Sequence, residues 1–197
     1  MFSNFMKIVA VAIPIMAGTA VSAAQFVVEL AKPLTGNDRT STQELYVTEV
    51  ERFDAEGKSY VILDAEDEAA LQSFFDANAI SPLKVKTVGF VNSPELGGGE
   101  RAGVDPLPGY QSYVIERPVP GIGDLPLETQ EELSMGSNAA LDQVGDGIEW
   151  VRSYLTDEGT YCVYRAVDTD KIVEHGQISN FPIDTISAVA HTKPMQE

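Results

Sequence analysis

The sequence predicts an α+β protein built from two tandem ferredoxin-like (βαββαβ) units, the first lacking its first helix, packed together as a pseudo-dimer. Three observations predict it. The block "YVILDAEDEAALQSFFDANAISPLKVKTV" from Tyr60 lies without a gap over "YCVYRAVDTDKIVEHGQISNFPIDTISAV" from Tyr161, at an offset of 101. Upstream, "FVVEL" from Phe26 lies over "YVIER" from Tyr113 at an offset of 87. Between the copies runs "NSPELGGGERAGVDPLPG", residues 92–109, whose glycines and prolines continue neither helix nor strand. Identities are few (Tyr60/Tyr161, Ala65/Ala166, Asp67/Asp168, Val88/Val189), but the apolar pattern repeats throughout.

In chain order, residues 1–24 read as a signal peptide. One cation, Lys7, precedes an apolar run from Ile8 to Val21, and the small residues Ser22-Ala23-Ala24 suit cleavage after Ala23 or Ala24. Pro14 and Gly18 interrupt the run, and no stop-transfer charges follow, so an uncleaved anchor is the lesser alternative. A degenerate unit, residues 25–91, follows with strands at 25–30, 44–53, 58–64 and 83–90 and a helix at 66–77. The linker 92–109 leads to a second unit, 110–194, with strands at 112–117, 148–155, 160–166 and 185–191 and helices at 127–143 and 168–179. The two offsets differ because the second unit holds an extra helix, 127–143, where the first has a loop. Asp67 and Asp168 stand where a carboxylate accepts from free backbone N–H groups at a helix start. Leu71, Phe74 and Phe75 share one face of the first unit's helix, and Ile172, His175 and Gly176 take those places in the second. The turns "DAEGK" and "TDEGT" each carry a glycine suited to a hairpin.

Composition narrows the function. The chain has a formal charge of −17, and loss of Lys7 with the leader makes it −18. Nucleic acid and anionic lipid call for Lys/Arg clusters, so neither is an expected partner. After leader cleavage no membrane contact is expected, and the mature protein is placed in the periplasm or outside the cell. A single cysteine excludes an internal disulfide and leaves Cys162 buried and inert, acting as a ligand, or open to pairing between molecules.

The chemistry-bearing residues cluster in the second unit. His175 stands in the place of Phe74, His191 in that of Phe90, and Cys162 and Tyr164 in those of Val61 and Leu63. Strand alternation puts Cys162 and Tyr164 on one face, with Tyr161, Val163 and Arg165 on the other. A neutral imidazole ligates nickel, copper or zinc, and a thiolate favours softer ions. Glu174, about 100° around the helix from His175, reaches such a site only from its flank. A hydrogen-bonded, inert core histidine is the plain alternative, since no HExxH or paired CxxC spacing is present. "GGGE" at 97–100 lacks the lysine and following helix of a phosphate loop and reads as flexible spacer.

The segments "YVIERPVPG" and "NAALDQVGDGIEWVRSYLTDEGTYCVYRAVDTDKIVEHGQISNFPIDTISAV" resemble a small bacterial ferredoxin-like family of unknown function that includes a homodimeric nickel-binding protein. The resemblance spans Tyr113 to about Val189. Its most specific parts are the W-V-x-S-Y run at 150–154, Y-C-V-Y at 161–164, Glu174-His175, and the F-P-x-D-x-I run at 181–186. It implies that Glu116, Trp150, Ser153, Tyr154, Cys162, Tyr164 and His175 occupy family positions. Asn180 departs from the pattern, which has glycine before Phe-Pro. The first unit barely matches and would supply the surface that single-unit relatives gain by dimerising.

The leading expectation is therefore an exported, non-catalytic metal-binding protein, with nickel or another divalent transition metal held by His175 together with Cys162, Glu174, Tyr164 or Glu116. A metal-free ligand-binding or interaction module of the dimeric α+β-barrel type is the alternative. A small monooxygenase-like enzyme is a third, which requires a cavity holding His175 and Tyr164 with room for an organic substrate.

Overall fold

Short runs of β-branched and aromatic residues, separated by glycine-bearing turns and two Asp-capped helices, give eight strands and three α-helices among the described residues. The computed structural model describes residues 23–33 and 47–191. The signal-peptide expectation and the expected loop after the first strand fall largely outside the described residues, as does the start of the second strand. Among the described residues no helix is long and apolar enough to cross a membrane.

The first half contains β1 (Ala24–Leu30), β2 (Thr48–Ala55), β3 (Lys58–Ala65), α1 (Glu68–Ala77) and β4 (Lys84–Asn92). The second contains β5 (Gln111–Arg117), α2 (Leu127–Val144), β6 (Ile148–Thr156), β7 (Thr160–Ala166), α3 (Thr169–Ile178) and β8 (Thr185–His191). All strand pairs are antiparallel, and the strands close into a barrel in the order β1-β3-β2-β8-β5-β7-β6-β4. Within this circle each half runs fourth strand, first, third, second: β4-β1-β3-β2 and β8-β5-β7-β6. The halves are therefore joined edge to edge as well as face to face. One seam pairs β4 with β6 from Val88↔Thr156 to Asn92↔Ser153; the other joins β2 to β8 at Phe53↔His191 and Asp54↔Ala190.

Period-two alternation divides the strand residues between the barrel interior and the helix-covered outside. Val27, Phe53, Tyr60, Ile62, Val114, Tyr154, Tyr161 and Val163 form the interior cluster, drawn from both halves. On the outside, α1 seats Leu71, Phe74 and Phe75 on Phe26, Val28, Val61 and Leu63. Burying each of these phenylalanines contributes about 2–3 kcal/mol. On the second half, α2 and α3 cover Tyr113, Ile115, Trp150, Cys162 and Tyr164.

The helix starts follow from the two capping aspartates. Asp67 Oδ1 accepts from Ala70 N at 2.8 Å, and Asp168 Oδ1 from Lys171 N at 3.1 Å. The residues just past α1 and α3 are also matched, Ala79 with φ 51° and Asn180 with φ 55°. This is the left-handed region, which explains why a glycine-favouring place accepts asparagine at 180.

The expected flexible spacer at 97–100 is corrected. Pro94–Gly97 forms a short 3₁₀ turn packed against α2, where Ser134 Oγ donates to Ser93 O at 2.6 Å and Asn138 Nδ2 to Pro94 O at 2.9 Å. A Cβ at Gly97 would collide with the backbone of Ser134 and Met135. Close approach to a helix, not looseness, accounts for that glycine.

Candidate functional site

The structure divides the five expected metal ligands among three places. Cys162 and Tyr164 project from the outer face of β7, and α3 lowers His175 onto that same face. With Arg117, Trp150 and Phe181 these three line a cavity of about 50 Å³ between the sheet and α2 and α3. By its size it holds a few waters, or a molecule of roughly four or five heavy atoms. Glu116 lies on the other face of β5, inside the barrel, because it is one residue from Arg117 in a pleated strand. Glu174 is exposed on α3, with Lys171 Nζ 3.4 Å away. The expectation that either glutamate joins His175 is thus corrected by strand alternation and helix rotation.

His175 is 2 % exposed. Its Nε2 lies 3.3 Å from both the carbonyl oxygen and the hydroxyl of Ser137 on α2. The carbonyl only accepts, which favours the tautomer with the proton on Nε2 and a lone pair on Nδ1. That Nδ1 is buried and has no hydrogen-bond partner. Burial of the ring, reinforced by the Arg117 charge and opposed by the Ser137 backbone contact, lowers the pKa to about 4. His175 is a neutral acceptor at physiological pH.

Arg117 was not singled out by the sequence reading. It is 4 % exposed, and its Nη1 donates to Phe181 O at 3.2 Å and Pro182 O at 3.1 Å. Its Nη2 is buried without a partner, and no ion pair joins Arg117 to a described carboxylate. Above it Trp150 stacks on Tyr164, with centroids 6.5 Å apart, and donates from Nε1 to Ser153 Oγ at 2.9 Å. The Tyr164 ring lies 5.3 Å from that of His175. Burial first, then the neighbouring Cys162, hold the Tyr164 phenol far above its ordinary range, so it stays protonated. Cys162 is 5 % exposed, its Sγ 3.0 Å from Thr160 Oγ1.

The first half has a different interior at the corresponding places. Leu30 stands where Arg117 does, Val61 where Cys162, Leu63 where Tyr164 and Phe74 where His175, and all four are members of one apolar core cluster. The polar cavity belongs to the second half.

A divalent transition ion fits this donor set poorly. One imidazole nitrogen and one thiol are available, the phenol is protonated, no carboxylate reaches the cavity, and a guanidinium shares it. Among the described residues no group of three or more His, Cys, Asp or Glu gathers to hold a metal.

Glu116 instead belongs to a network inside the barrel. Tyr60 donates to Glu116 at 2.8 Å, and Tyr161 donates to Glu29 at 2.8 Å. Lys58 Nζ stands 2.6 Å from Glu116 and 3.3 Å from Glu29; Lys84 Nζ stands 3.3 and 3.1 Å from the same two. The rings of Tyr60 and Tyr161 meet edge to face, 6.0 Å apart. Burial raises the Glu116 pKa, but hydrogen bonds from Lys58 and Tyr60 outweigh it and hold the carboxyl below its ordinary range. Nearer the β2–β8 seam, His191 Nε2 lies 2.9 Å from Glu51, which also accepts from Tyr154. His191 stacks on Phe53 and is remote in role from the cavity.

Residues 113–189 match the family model of the nickel responsive proteins described as SCO4226-like. The match runs from β5 into β8 and so contains the whole cavity except Asn92. No curated protein matches the chain by sequence. Among solved structures, a chlorite dismutase variant from Candidatus Nitrospira defluvii is 12% identical, with 85% of this chain and 90% of that chain covered and a TM-score of 0.47. The same organism's chlorite dismutase in complex with imidazole is 13% identical, covering 88% and 91%, with a TM-score of 0.44. A putative monooxygenase from Lactobacillus acidophilus NCFM is 9% identical over 86% of this chain and 93% of its own, with a TM-score of 0.38.

Proposed function

We propose that this chain is an exported, non-catalytic binding protein, built as a pseudo-dimer of two ferredoxin-like units within one chain. Its ligand occupies the cavity between the second half's sheet and α2 and α3. One observation carries the reading: Leu30, Val61, Leu63 and Phe74 close an apolar core in the first half, while Arg117, Cys162, Tyr164 and His175 line a cavity in the second. Two buried polar atoms of residues that line it, His175 Nδ1 and Arg117 Nη2, have no hydrogen-bond partner. Unpaired buried polar groups cost about 1–3 kcal/mol each, and a polar ligand in the cavity would offset that cost.

The crossed bonds support the pseudo-dimer. Glu29 and Glu116 correspond at offset 87, Tyr60 and Tyr161 at offset 101, and each tyrosine donates to the glutamate of the other unit. Reciprocal i-to-j and j-to-i contacts are the signature of a two-fold interface. The compensating cations, Lys58 and Lys84, both come from the first unit; Gly159 and Thr185 hold their places in the second. The first unit therefore supplies the charge that lets the two glutamates face each other. Export rests on the leader-like N-terminus, and cleavage after Ala23 would leave β1 whole, since Ala24 pairs with Ala65.

Nickel held by His175 and Cys162 is the second reading, favoured by the family match and by the unpartnered Nδ1. Calorimetry with Ni²⁺ on metal-stripped mature protein separates the two. The ligand-cavity reading expects no stoichiometric heat, and an unchanged melting temperature on adding nickel or zinc. A one-to-one heat that disappears in His175→Ala would overturn it in favour of the metal site. An organic substrate of monooxygenase size needs roughly 300 Å³ or more, several times this cavity.

A further inference from the structure

We infer that the cavity ligand is a small protonated oxyanion of the hydrogencarbonate or hydrogenphosphate kind, accepting from Arg117 and donating to His175. This rests on the ligand-cavity reading and adds the ligand's chemistry to it. Two demands define that chemistry. Arg117 is a buried cation that donates to the Phe181 and Pro182 carbonyls and interacts with the Tyr164 phenol, while its Nη2 has no acceptor. A guanidinium in a low-dielectric site is matched by an anionic oxygen. His175 makes the opposite demand: with its proton on Nε2 toward Ser137 O, the free Nδ1 needs a donor.

A plain anion such as nitrate or formate satisfies Arg117 and sets its lone pairs against Nδ1. A neutral alcohol satisfies Nδ1 and leaves the guanidinium charge uncompensated. An oxyanion that keeps one O–H meets both demands. The cavity volume of about 50 Å³ suits a ligand of roughly four or five heavy atoms. Trp150, Phe181 and Tyr164 wall the site and strengthen a charge-assisted bond there, and screening by salt weakens the opposing field of a mature chain of net charge −18.

The test is a thermal-shift and NMR titration of the full-length mature chain, metal-stripped, at constant ionic strength. The probes are sodium hydrogencarbonate and sodium phosphate, with sodium nitrate, sodium formate and acetamide as controls. Hydrogencarbonate or phosphate is expected to raise the melting temperature saturably, with half-saturation on the order of 1 mM. The same titration should shift the His175 Nδ1 resonance, and nitrate and formate should act at least fivefold more weakly. Arg117→Gln should lose the response and Arg117→Lys retain part of it. Should Arg117→Gln fold poorly, the Arg117 side-chain resonances of the wild-type protein report the same contact. Equal responses to all anions, or none, overturn the inference. A shift of His175 by acetamide alone would overturn it and leave the cavity a ligand site; silence of His175 toward every probe would remove both.

Discussion

Replacing Glu116 with Gln is expected to lower stability by about 2–4 kcal/mol, and Glu29→Gln by a similar amount. Removing one partner of a buried ion pair costs about 3–5 kcal/mol, because the remaining charge is left without compensation. The lower range applies here because Lys58 and Lys84 side chains are 24% and 50% exposed and recover some hydration. Each substitution also weakens a bond from the tyrosine of the other half, Tyr60 for Glu116 and Tyr161 for Glu29. The near-equality of the two effects is the informative part, because a two-fold arrangement loads the glutamates alike. Urea denaturation of both variants measures it. A silent Glu29→Gln beside a damaging Glu116→Gln would contradict the reciprocal arrangement. Acid should act in the same direction as the substitution. The Glu116 pKa is lowered in the fold, so its contribution is complete above the ordinary glutamate value of 4.5 and disappears as the pH falls through the folded value.

His175 is expected to cost the protein about 3 kcal/mol of stability between neutral pH and pH 4. Its pKa is lowered from 6.5 to about 4, mainly by burial, so the unfolded chain takes up the proton first. The loss begins as the pH drops below 6.5 and continues until about 4. His175→Phe places at 175 the residue that the first half carries at 74, and it removes this titration. Stability measured from pH 7 to pH 4 in buffers free of phosphate and hydrogencarbonate should fall less steeply for His175→Phe than for the wild type. Parallel profiles would mean that the ring is hydrated or paired in the folded protein.

Much of the fold was legible because its determinants are local and repeated. Strand runs, capping aspartates and glycine turns lie at the same offsets in both halves, so each element could be checked against its counterpart. Closure was less legible. The identical tyrosines at 60 and 161 and the matched glutamates at 29 and 116 are visible in the letters, but their crossing depends on two edges meeting in space. The site was half legible. The exchange of Phe74 for His175 and Leu63 for Tyr164 marked the second unit as polar, and alternation put Cys162 and Tyr164 on one face. Arg117 carries an equal signal, standing over Leu30 at the end of an apolar strand, but a strand-end arginine is ordinarily solvated and the letters alone do not show this one buried. Glu116 and Glu174 were misassigned for a simple reason. A family motif gives sequence positions, whereas a pleat and a helix turn decide which side each carboxylate takes.

The central claim is that the second half's cavity holds a small ligand and not a metal ion. A high-resolution crystal structure of protein purified from its native compartment, with data collected at the nickel absorption edge, tests it most directly. The account predicts a compact density of four or five atoms between Arg117 Nη2 and His175 Nδ1, without an anomalous peak. An anomalous peak bonded to His175 Nδ1 and Cys162 Sγ would contradict it.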